Sequence, residues 1–378
     1  MAQERNVVLG RLLNALAVLA GLCGVVSFLY YWDTGRTVIK RLQASSPYKY
    51  EEVDPKHLKT DPRTLIHVRN AETVERARAA LNAVIWGEGG FPKNKMPMTT
   101  VGDIRKLPKE SRCPNPARED YTTRTLGCSV RLYEDVANLA AIEQLTIGIS
   151  AKYHPRVSHF RPLEMNGGLI LYHHGYAGTH QDQWRHIWRW VEAGYGVLAF
   201  DYIGYGNAAP GVDYDGQTYM RALFEPIAVA QNDVLARYDY KTVNMVGLSA
   251  GGWVTAVYAA LDKRIKKSYP VAGVLPLYLR QEKETAEPQY FQPMIDAASY
   301  PDMFILAATG KGRRQVQIFN RFDRCCFNGP RGRLYEDAVA SVAEKIGGSF
   351  RVIVDETHPR HKISRWAFET ILRDMGQP

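Results

Sequence analysis

Apolar positions fall into three textures along the chain. The first is one unbroken stretch, residues 12–32 (LLNALAVLAGLCGVVSFLYYW), which carries no charge. At about 1.5 Å rise per residue, a helix of this length crosses a hydrocarbon core. Phe28, Tyr30, Tyr31 and Trp32 crowd one end, where amphipathic rings favour the interface. Aromatics stand where a signal peptide would have its small-residue cleavage site. The stretch predicts an uncleaved single-pass signal anchor, with membrane contact through 12–32. Arg5 and Arg11 before it and Arg36, Lys40 and Arg41 after it leave the orientation undecided.

The second texture is helical. Val74, Ala77, Leu81, Val84 and Ile85 recur at the spacing of an amphipathic helix over 70–86, inside a segment (47–127) otherwise rich in Gly, Pro and Lys and read as loops. The third begins after Cys128. Short apolar runs appear at 143–149, 156–160, 168–175, 196–204, 242–249, 268–277, 314–322 and 350–356. Helix-length stretches separate most of the later ones, at 183–193, 219–238, 250–261, 334–346 and 363–375. This alternation predicts an α/β fold, a mostly parallel central sheet with helices on both faces. The organisation expected is therefore 1–46 anchor and linker, 47–127 helical and loop extension, and 128–378 catalytic domain. A lid-like insertion is expected at about 276–309, where Tyr278, Tyr290, Phe291, Met294, Tyr300 and Phe304 could equally line a pocket or a core helix. In an open sheet of this kind, ligands sit beyond the carboxyl ends of the strands.

Composition changes this picture little. The 378 residues are 46% hydrophobic and 23% charged, ordinary globular values that exclude a disordered or multi-span chain. The net charge of +9 comes from scattered basic residues without a run of five or more, so nucleic acid is not an expected partner. Cys113 and Cys128 bracket a polar loop that a disulfide would close, worth about 3 kcal/mol in the chain-entropy model; two free thiols are the alternative. Pairing would favour an oxidising compartment, and with it an extracytoplasmic catalytic domain. Cys325 and Cys326 are adjacent; pairing them would distort the peptide between them, and they are read as small packing residues.

Chemistry concentrates after the apolar runs. Gly247-Leu248-Ser249-Ala250-Gly251 follows VNMV and opens a helical stretch, the strand–turn–helix setting of a G-x-S-x-G nucleophile elbow. Such a turn lifts the Ser249 hydroxyl above the sheet. His173-His174-Gly175-Tyr176 follows LILY; in elbow geometry the amide after the nucleophile, Ala250, and one from this loop, Tyr176, form the oxyanion hole. Gly175 and Tyr202 are expected at the substrate. His173, His174, His180 and His186 lack the ligand spacing of a metal site, and no metal or other cofactor is expected. Residues 204–209 fit G-x-G-x-x-A, but they lie mid-sheet and Pro210 follows, against a dinucleotide site.

From about Cys128 onward, the HG at 174–175, the D-x-x-G-x-G at 201–206 and the elbow at 247–251 resemble the α/β-hydrolase superfamily, in the family's order. That resemblance implies a Ser–acid–His triad in chain order. Ser249 is then the nucleophile and Asp323 the acid, ahead of Asp302, Asp296 and Asp337. The base is His361, in a His-x-Ile sequence before the last helix, with His358 in reserve. It also implies a carboxylesterase- or lipase-like serine hydrolase acting on a small-molecule ester through an acyl-enzyme. A peptidase or thioesterase of the same fold, or a non-catalytic subunit of a membrane assembly, remains the alternative. Residues 47–127 have no counterpart in the minimal fold.

Overall fold

The computed structural model describes residues 16–25, 27, 53–113, 125–209, 212, 216–281, 284 and 287–376. Residues 16–25 and 27 are helical and exposed, and the rest of the 12–32 stretch lies outside the described residues. Among the described residues no helix is long and apolar enough to cross a membrane.

Among the described residues nine strands form one sheet: β1 (Thr99–Val101), β2 (Leu139–Thr146), β3 (Arg156–Pro162), β4 (Gly168–His173), β5 (Gly196–Phe200), β6 (Thr242–Leu248), β7 (Ile265–Val271), β8 (Arg314–Asn320) and β9 (Ser349–Asp355). Their order is β1-β2-β3-β5-β4-β6-β7-β8-β9. β1, β2 and β3 pair antiparallel at one edge, and β5 through β9 pair in parallel. Each of the eight apolar runs seen in the sequence overlaps one of β2–β9, with ends that differ by up to six residues. β1 arises in a segment read as loop; its three residues are all exposed and give no apolar signal.

The longer helices are α1 (Ala71–Trp86), α2 (Trp184–Glu192), α3 (Gln217–Arg237), α4 (Ala250–Leu261), α5 (Tyr300–Ala308), α6 (Arg333–Lys345) and α7 (Arg365–Met375). Strand residues alternate between two cores, as a period of two requires. Leu169, Leu171, Leu198 and Met245 point to the face covered by α1, α3, α4, α5 and α6. Ile170, Tyr172, Val197 and Val246 point to the face covered by α2, α7 and residues 126–136.

The N-terminal extension shares this core. Asn70 caps α1 through a reciprocal bond with Thr73, and Val74, Leu81 and Ile85 are buried against the main cluster. Arg78, itself buried, donates to the carbonyls of Ala260 and Leu306, at the C-terminal ends of α4 and α5. Arg313 enters the same place and donates to Ile265, Leu306, Thr309 and Ala259. Two guanidinium groups thus satisfy helix-end carbonyls that would otherwise be unpaired. Burial, and then the charge of Arg78, push Arg313 down to about 9. Farther along, Cys113 and Cys128 are joined in a disulfide.

The lid expectation needs correction over its second half. Residues 300–308 form a wholly buried helix between β7 and β8, with Tyr300, Met303 and Phe304 in the core, because the strand crossover needs an apolar cover on that face.

Replacing Leu81 with Ala removes a fully buried side chain at the contact of α1 with the sheet domain. The variant is expected to lose about 3 kcal/mol of stability in one cooperative urea transition. A separate early transition of the extension would show that it folds apart from the sheet.

Candidate active site

Ser249 sits between the end of β6 and the start of α4 with φ 58° and ψ −127°. Its amide donates to Val271 O at 2.9 Å, and its carbonyl accepts from Gly252 (2.8 Å) and Trp253 (3.1 Å). A non-glycine residue at positive φ is strained, and here the turn is fixed on both sides. Two neighbouring glycines make it possible. A Cβ on Gly251 would lie 2.1 Å from His173 O, and one on Gly175 would lie 2.7 Å from both Ser249 Cβ and Leu248 O. The loop after β4 therefore runs directly against the serine.

In that loop His173 Nδ1 donates to His174 O (2.8 Å), and Tyr172 Oη and His174 Nδ1 are 2.9 Å apart. Burial lowers both histidines to about 4, so both rings are neutral at pH 7. Ala177 also adopts a positive φ, 59°. The amide of Tyr176 makes no backbone hydrogen bond among the described residues, and the Ala250 amide opens α4, where no carbonyl of the helix can reach it. Tyr176 is 67% exposed, and its ring meets Tyr205 and Tyr202 edge-on, with centroids 5.0 and 5.9 Å apart. Tyr202 itself is buried.

Asp323 lies in the turn after β8, fully buried. Its Oδ1 accepts from the Cys325 amide (2.8 Å), and its Oδ2 from Asn320 Nδ2 (3.3 Å) and His361 Nδ1 (2.7 Å). His361 stands in the loop between β9 and α7 with its side chain 22% exposed. Its Nε2 is buried and has no hydrogen-bond partner, so the Ser249 hydroxyl is not bonded to it in this structure. Catalytic hydrogen bonds are often long before substrate binds.

His358 is engaged elsewhere. Its Nδ1 accepts from the Arg360 amide (3.0 Å), and its Nε2 lies 3.2 Å from Asp355 Oδ2. Of the other acids, Asp302 accepts from the His67 and Val68 amides, and Asp296 accepts from Gln292 one helical turn before it. Neither meets His361.

Sequence reasoning missed two features. Asp201 is buried against His180: its Oδ1 accepts from His180 N (2.6 Å) and Nδ1 (2.8 Å), and its Oδ2 from Asn207 N (2.8 Å). Burial alone would raise this carboxyl, but the charge and hydrogen bonds of His180 outweigh it and hold it below the usual range. This pair ties the loop after β4 to the one after β5, which explains why Asp201 and His180 lie there without touching the serine. Cys325 and Cys326 are joined in a disulfide, against the packing role read from their adjacency. Phe327, which follows, takes a positive φ of 50°, and its amide donates to Glu284. The loop bends sharply enough to bring the neighbouring sulfurs together.

Residues 168–327 match a family model described as the alpha/beta hydrolase fold. The chain has the alpha/beta hydrolase fold. No curated protein sequence matches it. Among solved structures it is similar to a methylesterase, BT1017, at 12% identity with TM-score 0.56, covering 82% of this chain and 64% of that protein, just under two thirds of its length. It is also similar to an acetyl xylan esterase from Paenibacillus sp. R4 (16% identity, TM-score 0.46, 64% of this chain and 84% of that one). An esterase from Pyrococcus furiosus gives 13% identity and TM-score 0.46, over 64% and 92% of the two chains. At these identities the likeness speaks for fold alone.

The neutral histidines of this protein carry a pH dependence. His173 and His174 bind protons only near 4 when folded, against an ordinary 6.5. Between these values the unfolded chain takes up protons that the folded one does not, so stability is full above about 6.5 and falls towards 4. Calorimetry at stepped pH is expected to show Tm decreasing across this window, with a shallower slope in His174→Asn. A flat Tm would refute the burial argument.

Proposed function

We propose that this α/β-hydrolase is a serine hydrolase that cleaves a carboxylic ester through an acyl-enzyme on Ser249. The fold and its likeness to a methylesterase support hydrolysis of an ester in general. The observation that carries the finer reading is the 2.7 Å bond between buried Asp323 and His361 Nδ1, which leaves the Nε2 lone pair as the ring's open site. In this reading Ser249 Oγ attacks the ester carbonyl as its proton passes to His361 Nε2. The oxyanion is held by the Ala250 and Tyr176 amides, at the N-terminus of α4 and in the loop that Gly175 presses against the serine. His361 then gives its proton to the departing alkoxide, and water, activated the same way, frees the acid. Asp323 keeps Nδ1 protonated and stabilises the imidazolium. Tyr176, with Tyr205 and buried Tyr202 behind it, offers an apolar wall at the mouth of the site.

We also place the chain at a membrane through residues 12–32, with the hydrolase domain on the extracytoplasmic side. The uncharged length of that stretch and the Cys113–Cys128 disulfide support this. Removing residues 1–46 is then expected to move the protein from the membrane fraction to the soluble one. A truncated protein that still pellets with membranes would argue against the anchor.

The catalytic reading is tested by a fluorophosphonate probe on the full chain. Labelling is expected for wild type and lost in Ser249→Ala. His361→Ala and Asp323→Asn are each expected to reduce p-nitrophenyl acetate turnover by roughly 10⁴-fold, while His358→Ala, seated on Asp355, keeps the wild-type labelling pattern. Labelling that survives Ser249→Ala would end the proposal, and well-folded wild type that never labels would favour a non-catalytic scaffold.

A further inference from the structure

The turn that carries Asp323 also carries two sulfurs. A ring nitrogen of His361 and the Sγ atoms of Cys325 and Cys326 all lie within 4.8 Å of one another. Because Nδ1 is committed to Asp323 Oδ2, the nitrogen with a lone pair to give is Nε2, buried and without a partner. An imidazole that donates one N–H to a carboxylate and keeps the other nitrogen bare is the usual arrangement of a metal-bound histidine. Two thiolates and an imidazole are ligands that select zinc and its soft congeners. In the disulfide form the sulfurs are tied to each other and offer no thiolate. Cys325, however, is exposed, so a reductant can reach the bond.

We propose that the reduced Cys325–Cys326 loop is a binding site for a thiophilic divalent cation of the zinc class, ligated by both sulfurs and by His361 Nε2, and that occupancy silences the hydrolase. The second half rests on the triad reading; the first does not. The chemistry balances in two steps. A phosphine attacks the Sγ–Sγ bond, takes up oxygen from water as phosphine oxide, and leaves two thiols. The cation then displaces the two thiol protons, giving a neutral dithiolate with His361 as the third ligand and a fourth position for water. The lone pair that would receive the Ser249 proton is then held by the metal. In the oxidised protein no such competitor exists. The loop therefore couples the redox state of two neighbouring sulfurs, through one metal, to the availability of the base.

The test uses the full chain, reduced with a water-soluble phosphine, freed of it anaerobically and titrated with Cd²⁺ alone. The expected result is a sulfur-to-cadmium charge-transfer band that saturates at one metal per chain and is removed by competing Zn²⁺. The band should be absent in Cys325→Ser/Cys326→Ser, which keeps Cys113 and Cys128 and so reports any binding there. His361→Gln should weaken cadmium affinity about tenfold or more. One equivalent of Zn²⁺ should lower ester turnover of the reduced wild type about tenfold or more, reversibly with a chelator. The unreduced protein and the double variant should each hold their own metal-free rates. No band in reduced wild type, or an equal band in the double variant, overturns the site. A saturating band with unchanged turnover overturns the silencing. Should the band form in a protein that never labels with fluorophosphonate, the metal site stands and the esterase reading falls; labelling without a band gives the reverse.

Discussion

The turn at Ser249 brings three backbones closer together than any Cβ permits. β4, β6 and β7 are adjacent and parallel, with His173 opposite Gly247 and Gly247 opposite Pro270, so the segments leaving their carboxyl ends must share one small volume. A methyl group on Gly251 would strike the carbonyl of His173, one on Gly175 would strike Ser249, and one on Gly273 would lie 1.9 Å from Ser249 O. The missing side chains let α4 begin at the sheet edge and bring the loop of Tyr176 alongside the serine. Widening that contact by the radius of one methyl would separate the two amides that the proposed oxyanion hole needs and leave the hydroxyl facing solvent.

The same edge holds the backbone strain. Among the described residues the non-glycine positions at positive φ are Ala177, Ser249, Ala272 and Phe327, and they follow β4, β6, β7 and β8 respectively. Each such conformation costs of order 1–3 kcal/mol and persists only where its surroundings over-determine it. Here they are over-determined from both sides. The strands are buried on both faces by two apolar cores, and α1 adds Leu81 and Ile85 to the larger one while Arg78 holds the ends of α4 and α5. A distant extension thus contributes to a site it does not touch, by stiffening the helix that begins at Ser249.

What could be read from the sequence followed from how local each signal is. β4–β9 announce themselves as apolar runs because parallel strands are covered on both faces, and the antiparallel β2 and β3 do so because they too are buried along most of their length. The elbow is legible because small residues, strand and helix fall within a dozen positions. β1 carries no such mark: it is three exposed residues whose only reason to extend is the free edge of β2. The His180–Asp201 pair joins residues from two different loops, and no pattern within either one points to the other. His358 and His361 illustrate the same limit. They are three positions apart in one loop, and their residue types are identical; only their partners separate them, nearby Asp355 for one and distant Asp323 for the other. The joined Cys325 and Cys326 also escaped, since the bend that unites them depends on Glu284, some forty positions earlier, accepting the amide of Phe327.

These partners also decide which member of the pair fixes the other. Asp323 is fully buried and receives the Cys325 amide, the Asn320 side chain and His361, so its two oxygens have little freedom. His361 is partly exposed, and within the pair it is anchored by the single bond at Nδ1. The ring therefore takes its orientation from the carboxylate, and the direction of its Nε2 lone pair is set by the turn after β8 rather than by the loop that carries the histidine. A change anywhere in 323–328 that rotates the carboxylate would redirect the base without touching it. In this molecule the geometry of the proposed proton transfer is thus stored in the acid's loop, where two sulfurs and a strained phenylalanine also reside.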